Sequence, residues 1–525
     1  MALRPAAAPI GQRITAAIRA GRGREAAGLI EAALRQRPKD AALLLTLAQV
    51  HNRLTREPGA ARAAAEKAVK AAPSSARARL EAAEAAALLQ DFPAAEAHLS
   101  RARALAPKEA DVHYVAAALA ERMGQSEAAL AAAEEALRLA PGHLPARLQI
   151  ATSLRNAGRL EEAAAACHAL FTDAPDNSHL YGIWARTGRI AEDDPLYLHL
   201  RDSLVPRLRK AGGPALSAPL AALAKARDDQ GAHEEALALH AEAKAAEGLT
   251  YDAAAYEAFV DALTAAPPGA PVGPEGPAPV LITGLPRSGS TLLEQMLARH
   301  PALSAAGESE ALALMVKGEG VALRDGPALA ALTSGLGHGQ AARLAKGYQA
   351  IVARSAGEGR AIDKRLHNFE LIGLFSRLFP EGRVLAMRRD PLDMLTSCYL
   401  QPLGPFHSYT RSLEGLAAHY LAHRRLMAHW QAALPGRIHE VSYEALVTGP
   451  EPVLREVLGF LGLDWEPACL DHRSGGSVQT LSTWQVRQPL GPGAIGRWRR
   501  YGARLEPLKA ALAEVYPEGF GAPAV

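Results

Sequence analysis

The sequence predicts an α-helical repeat solenoid followed by an α/β domain with a parallel sheet. Three observations carry this. Prolines recur at Pro38, Pro73, Pro107, Pro141 and Pro175, at spacings of 35, 34, 34 and 34 residues. After residue 279, short apolar runs alternate with helical stretches, the pattern of a parallel sheet covered on both faces. Between the halves, 265–278 consists almost entirely of proline, glycine and alanine, which suits neither helix nor central strand. The expected boundaries are 1–264 for the solenoid, 265–278 for a linker and 279–525 for the sheet domain.

A chain of 525 residues is too long for one core. Its net charge of +3 gives no argument for nucleic acid. The three cysteines, Cys167, Cys398 and Cys469, are too far apart for a zinc site or a disulfide framework. No apolar stretch is long enough for a membrane span, and Met1 to Ile18 lacks a secretory pattern. The chain is therefore read as soluble and cytoplasmic. Its alanine- and arginine-rich composition points to a bacterial source.

Other columns keep step with the prolines. Ala26, Ala61, Ala95, Ala129 and Ala163 form one, Ala48, Ala83, Ala117 and Ala151 a second, and Leu45, Leu80, Tyr114 and Leu148 a third. A 34-residue period, small residues where two helices touch and a proline closing each unit resemble the tetratricopeptide repeat. Each helix pair then buries its apolar face only by stacking on its neighbours, which curves the array into a groove. A degenerate unit is expected over 176–212 and a further helix pair over 217–248, turning at Gln230-Gly231. The groove implies a protein partner, or else a scaffold for the second domain. No catalytic constellation precedes residue 265.

The second domain opens on Pro279-Val280-Leu281-Ile282-Thr283-Gly284-Leu285-Pro286-Arg287-Ser288-Gly289-Ser290-Thr291. An apolar strand runs into a glycine turn, and a helix begins at Ser290 or Thr291. Amides at that helix start and the guanidinium of Arg287 make an anion cradle. The loop is P-loop-like but lacks the lysine of GxxxxGK[ST], so a nucleotide kinase on a related fold is the weaker enzyme reading. A loop then carries Glu308 and Glu310, and 311–353 reads as helical. Further strands are expected at 361–364, 383–388 and 438–441, with helices near 368–378, 412–433, 444–447 and 451–461. Asp390 caps a helix whose first residue is Pro391. Gly284, Lys364 and Arg389 fall at strand ends, where such sheets bind ligands. Arg389 and Ser397, eight residues apart across that helix start, suit a second anion.

Pro286 to Thr291, taken with Arg389 and Ser397, resemble the sulfotransferases that use 3′-phosphoadenosine 5′-phosphosulfate. So do Asp363-Lys364 with Asn368-Phe369, Arg388-Arg389-Asp390-Pro391-Leu392-Asp393, Tyr443-Glu444-Ala445-Leu446-Val447, Gln485 to Pro489 and Gly496 to Arg499. The resemblance covers roughly 279–503 and is closest to the tyrosylprotein-sulfotransferase-like branch. One departure is Gln401, where the animal tyrosylprotein enzymes are expected to carry a basic residue.

The resemblance implies roles. Arg287, Ser288, Gly289, Ser290 and Thr291 would hold the 5′-phosphosulfate. Lys364 would stabilise the transferring group, and Glu308 would be the general base, with Glu310 and His367 as rivals. Arg389 and Ser397 would hold the 3′-phosphate, with Tyr443 near the adenine and Ser482 and Arg497 supporting the nucleotide. No metal is implied. The acceptor would be a peptide tyrosine, a sugar hydroxyl or a small alcohol. A non-catalytic, repeat-based binding scaffold with a nucleotide-binding domain is the alternative.

Overall fold

In a computed structural model, which describes residues 9–55, 57–89, 91–265, 267–354, 356–471 and 490–516, the chain divides into two compact units, 1–170 and 171–525.

The first unit is an array of helix pairs, among them Ala41–Val50 with Pro58–Ala71, Ala76–Leu88 with Phe92–Leu105 and Ala110–Arg122 with Ser126–Leu139. The alanine columns explain the packing. Ala26, Ala61, Ala95, Ala129 and Ala163 are all fully buried, and so are Ala48, Ala117 and Ala151. A methyl at each crossing lets two helix backbones approach closely, and a larger side chain there would overpack the contact. The Leu45 column differs: only Leu80 is buried, and Leu45, Tyr114 and Leu148 are half-exposed. Each proline sits in the turn just past a helix end, where its missing N–H removes no helical bond. Carboxylates tie the helices together. Glu81 accepts from Gln49, Asn52 and Arg53, and Glu121 from Ser126, Ser153 and Asn156.

The second unit is organised by a parallel five-stranded sheet: β1 (Val280–Thr283), β2 (Leu303–Gly307), β3 (Arg360–Asp363), β4 (Arg383–Arg388) and β5 (Ile438–Ser442), in the order β2-β3-β1-β4-β5. β1 is central and buried along its whole length, as its unbroken apolar run requires. Two cores flank the sheet. Leu281, Phe369, Phe375, Leu395, Tyr420 and Trp430 belong to one, and Val280, Ile282, Leu293, Leu385 and Leu458 to the other.

The helices Ser217–Asp229, His233–Ala246 and Ala253–Thr264 precede the sheet but belong to this unit. Tyr256, Phe259, Val260 and Leu263 enter the larger core. The expected boundary at 265–278 therefore falls inside a unit. That stretch is irregular, as its prolines require, yet the amides of Val272 and Gly273 bond the carbonyl of Arg377. β2 was not expected either. It is an edge strand of the sequence Leu-Ser-Ala-Ala-Gly, half-buried and without an apolar run.

Candidate active site

All five strands deliver a polar or glycine residue to the same edge of the sheet. The first residue after each strand is Gly284 for β1, Glu308 for β2, Lys364 for β3, Arg389 for β4 and Tyr443 for β5. Because the strands are parallel, these residues converge beyond the carboxyl ends, where a doubly covered sheet leaves a crevice.

The loop after β1 is tightly shaped. Helix Ser290–Leu297 begins at Ser290, with Gly289 in a left-handed conformation at φ 98°. A Cβ on Gly289 would lie 2.4 Å from Cδ2 of Tyr443. Arg287 is, among the described residues, the only non-glycine with positive φ, at 69°. A conformation so costly persists only where the surroundings enforce it. Here the Arg287 carbonyl accepts from Nη1 of Arg389 at 2.8 Å, and its Nε donates to Oγ of Ser397 at 3.0 Å. Arg389 also donates through Nη2 to the Ala494 carbonyl at 2.9 Å and lies 4.3 Å from the Tyr443 ring centroid. Asp390 caps helix Pro391–Tyr399 as expected, placing Ser397 two turns in. Arg287, Arg389, Ser397 and Tyr443 thus form one cluster.

Electrostatics mark this cluster as an anion site. Burial pushes the Arg287 pKa down to about 10, and the neighbouring cations Arg389 and Arg497 push the same way. Among the described residues, Ser288 Oγ, Arg389 Nε and Arg497 Nε are buried without a hydrogen-bond partner. Crowded guanidiniums and unpaired buried N–H and O–H groups are costly unless an anion completes them. The residues present therefore fit a phosphate- or sulfate-bearing ligand.

Beside the loop, Lys364 is buried at the end of β3, with Nζ 3.0 Å from Glu308 Oε1 and 3.8 Å from Glu294 Oε2. Burial alone would lower its pKa, but Glu294 and Glu308 outweigh this and hold it above the ordinary value. Glu308 is half-exposed and so open to an incoming group, whereas Glu294 is buried and its pKa is raised by that burial. Glu294 went unnoticed in the sequence. Its signal is an acid set among Leu292, Leu293, Met296 and Leu297 on a short helix.

The rival bases are placed differently. Glu310 pairs with Arg365 at 2.9 Å. His367 is buried in a cage of rings, 4.6 Å from Phe406, 5.0 Å from His407 and 5.5 Å from Phe369. Burial, then the charges of His407 and His419, hold its pKa well below normal. Arg497 donates through Nη2 to Asp228 at 2.5 Å, while its buried Nε has no hydrogen-bond partner among the described residues. Ser482, Gln485 and Pro489 lie outside the described residues. Asp393, which closes the Arg388 to Asp393 motif, holds the C-terminal segment: its two oxygens accept from the amides of Gly496 and Trp498 at 2.6 and 3.0 Å. Among the described residues, no group of acids, histidines and cysteines could hold a metal ion. No helix there is long and apolar enough to cross a membrane.

A parallel sheet with a glycine-turn anion loop on its central strand and cations at the ends of its neighbours defines an α/β domain that handles anionic groups. The description "Sulfotransferase family" matches residues 279–467, the segment that contains the sheet and its strand-end residues. Residues 120–186 match the tetratricopeptide repeat.

A protein of Aquifex aeolicus (strain VF5) with no assigned activity is 32% identical over 255 residues, covering 46% of this chain and 32% of its own length. Protein-tyrosine sulfotransferase 2 of Gallus gallus is 24% identical over 241 residues, covering 42% of this chain and 62% of that protein. The chain thus spans less than two thirds of the length of these relatives. Among solved structures, the sulfotransferase domain of the Synechococcus PCC 7002 olefin synthase is 23% identical, covering 47% of this chain and 96% of that one, with a TM-score of 0.34.

Proposed function

We propose that the chain transfers a sulfuryl group from 3′-phosphoadenosine 5′-phosphosulfate to an acceptor hydroxyl, with a peptide tyrosine as one acceptor class. The observation that carries this is the row of strand-end residues in which buried Lys364 touches the accessible carboxylate Glu308 beside the Arg287 loop.

Arg287, Ser288 and the amides opening helix Ser290–Leu297 would hold the 5′ end of the nucleotide, and Arg389 with Ser397 the 3′-phosphate. Tyr443, stacked under Arg389, braces that arginine. When bound, the nucleotide supplies the sulfuryl group. Glu308 accepts the proton of the acceptor hydroxyl. Lys364 neutralises the negative charge that builds as the acceptor oxygen gains and the leaving oxygen loses its bond, and its burial makes that charge effective. The amide and guanidinium donors are fixed before reaction, so they need little reorganisation. The donor, the tyrosine acceptor and a cytoplasmic setting are part of this reading. So is the expectation that the repeat groove receives a protein partner.

Calorimetric titration with 3′-phosphoadenosine 5′-phosphate tests it. Wild type binds, and Arg389→Ala weakens binding by about 30-fold or more, the loss typical of a buried charge-assisted contact. Screening peptides, sugars and small alcohols with the labelled donor then identifies the acceptor. Absence of nucleotide binding by the wild type refutes the proposal and leaves a repeat-based binding scaffold.

A further inference from the structure

Helices Ser217–Asp229 and His233–Ala246 precede every residue of the transfer site in sequence, yet their ends are joined to both flanks of that site. Asp228, in the last turn of the first helix, is buried. It accepts from Arg497 Nη2 at 2.5 Å, Tyr501 OH at 2.8 Å and His233 Nδ1 at 2.8 Å. Arg497 lies 269 residues further along the chain and belongs to a strap, 494–501, whose other face is fastened to the anion site. The Ala494 carbonyl takes a hydrogen bond from Arg389, and the amides of Gly496 and Trp498 donate to Asp393 in the helix that carries Ser397. Asp228 therefore grips the strap from one side while Arg389 and Asp393 grip it from the other.

The second helix has its own links. Lys244 donates to the Gln401 carbonyl at 3.4 Å, just past that same helix, and Glu247 pairs with Arg411 at 2.5 Å.

We infer that Asp228 is a positioning residue for the nucleotide, acting through Arg497, so that the helix pair 217–246 is a working part of the transfer site. This rests on the proposed nucleotide-dependent reading. The physical reasoning is geometric. Asp228 fixes one edge of the Arg497 guanidinium, while its buried Nε–H has no partner among the described residues. A flexible arginine already held by a buried carboxylate loses less freedom when an anion arrives. The same carboxylate pins Tyr501, which anchors the strap in the larger core, and so holds the Ala494 carbonyl that orients Arg389.

The test is the affinity for 3′-phosphoadenosine 5′-phosphate, by calorimetry on the full chain, for wild type, Asp228→Asn, Arg497→Ala and the double variant. Asp228→Asn is expected to weaken binding on the order of 10-fold to 100-fold, the range for outer groups that orient a binding residue. In the Arg497→Ala background the same change is expected to cost less than about 3-fold, because residues acting through one another are not additive. A merely structural Asp228 would cost the same in both backgrounds, and that result overturns the inference, as does unchanged affinity in Asp228→Asn. If Asp228→Asn does not fold, Tyr501→Phe removes one hydrogen bond from the same carboxylate. A severalfold weaker complex then supports the inference, and wild-type affinity overturns it. Failure of the wild type to bind refutes the parent reading instead, which separates the two.

Discussion

Replacing Lys364 with methionine separates its structural contribution from its chemical one. Lys364 and Glu294 are both buried, with charged atoms 3.8 Å apart. At an effective dielectric constant of about 20 that attraction is about 4 kcal/mol. The contact to Glu308 is shorter, but Glu308 is half-exposed, so solvent limits it to less than about 1 kcal/mol. Lys364→Met leaves Glu294 buried opposite an apolar chain. The expected destabilisation is about 3–5 kcal/mol at pH 8. It shrinks as the pH falls, because burial already raises the Glu294 pKa and loss of the lysine raises it further, so protonation relieves the unpaired charge.

Denaturant unfolding followed by tryptophan emission measures this directly. All five tryptophans, Trp184, Trp430, Trp465, Trp484 and Trp498, lie beyond residue 170, so the signal reports the second unit. Glu294→Gln combined with Lys364→Met is expected to recover most of the lost stability. Transfer in the double variant stays about 10²–10³ below wild type, since the transition-state cation is still missing. Wild-type stability in Lys364→Met would refute the buried-pair argument, and recovered transfer in the double variant would refute the catalytic role.

Gly289→Ala places a Cβ 2.4 Å from the Tyr443 ring at φ 98°. Strain of about 1–3 kcal/mol and a displaced Tyr443 should weaken nucleotide binding more than about tenfold by calorimetry; unchanged affinity would mean the ring is free to move. Glu308→Gln should cut transfer by about 10²–10⁴. His367→Asn should cost transfer far less than Glu308→Gln, because burial holds the imidazole pKa well below normal inside a cage of rings; an equal loss would make the histidine the base. Asp363 is fully buried, and burial pushes its pKa up to about 7. The folded chain therefore holds that proton between pH 4 and 7 while the unfolded chain releases it, so stability falls as the pH rises through this window, by up to about 4 kcal/mol. Asp363→Asn should flatten that slope in melts from pH 4.5 to 7.5, and an unchanged slope would place the titration elsewhere.

Local pattern made much of this legible. The 34-residue columns predicted which alanines would be buried, because helix contacts repeat with the unit. The strand ends at Gly284, Lys364 and Arg389 followed from short apolar runs that stop abruptly. What escaped was long-range or conformational. β2 was hidden because an edge strand of small residues has no apolar run. Glu294 and Lys364 are 70 residues apart in sequence, and Asp228 meets Arg497 only through the tertiary fold, so no spacing rule joins either pair. The left-handed backbone of Arg287 is imposed by Arg389 and has no signature of its own. The prolines and glycines of 267–278 do keep that stretch irregular. Composition alone could not show that the helices before it would share a core with the sheet.

The order of the strands also governs how the chain acquires its sheet during synthesis. β1 pairs with β3 through Val280 and Ile362, and with β4 through Val280 and Arg383. Its two neighbours are thus 82 and 103 residues downstream. At typical translation rates of 5–20 residues per second, the most apolar strand waits roughly 5–20 s for its second partner. The repeats need no such delay, since each helix meets its neighbour within a few dozen residues and low contact order favours fast folding. An exposed Val280-Leu281-Ile282 segment on the nascent chain is a natural client for a chaperone, and the glycine loop that follows it is among the last parts of the protein to take shape.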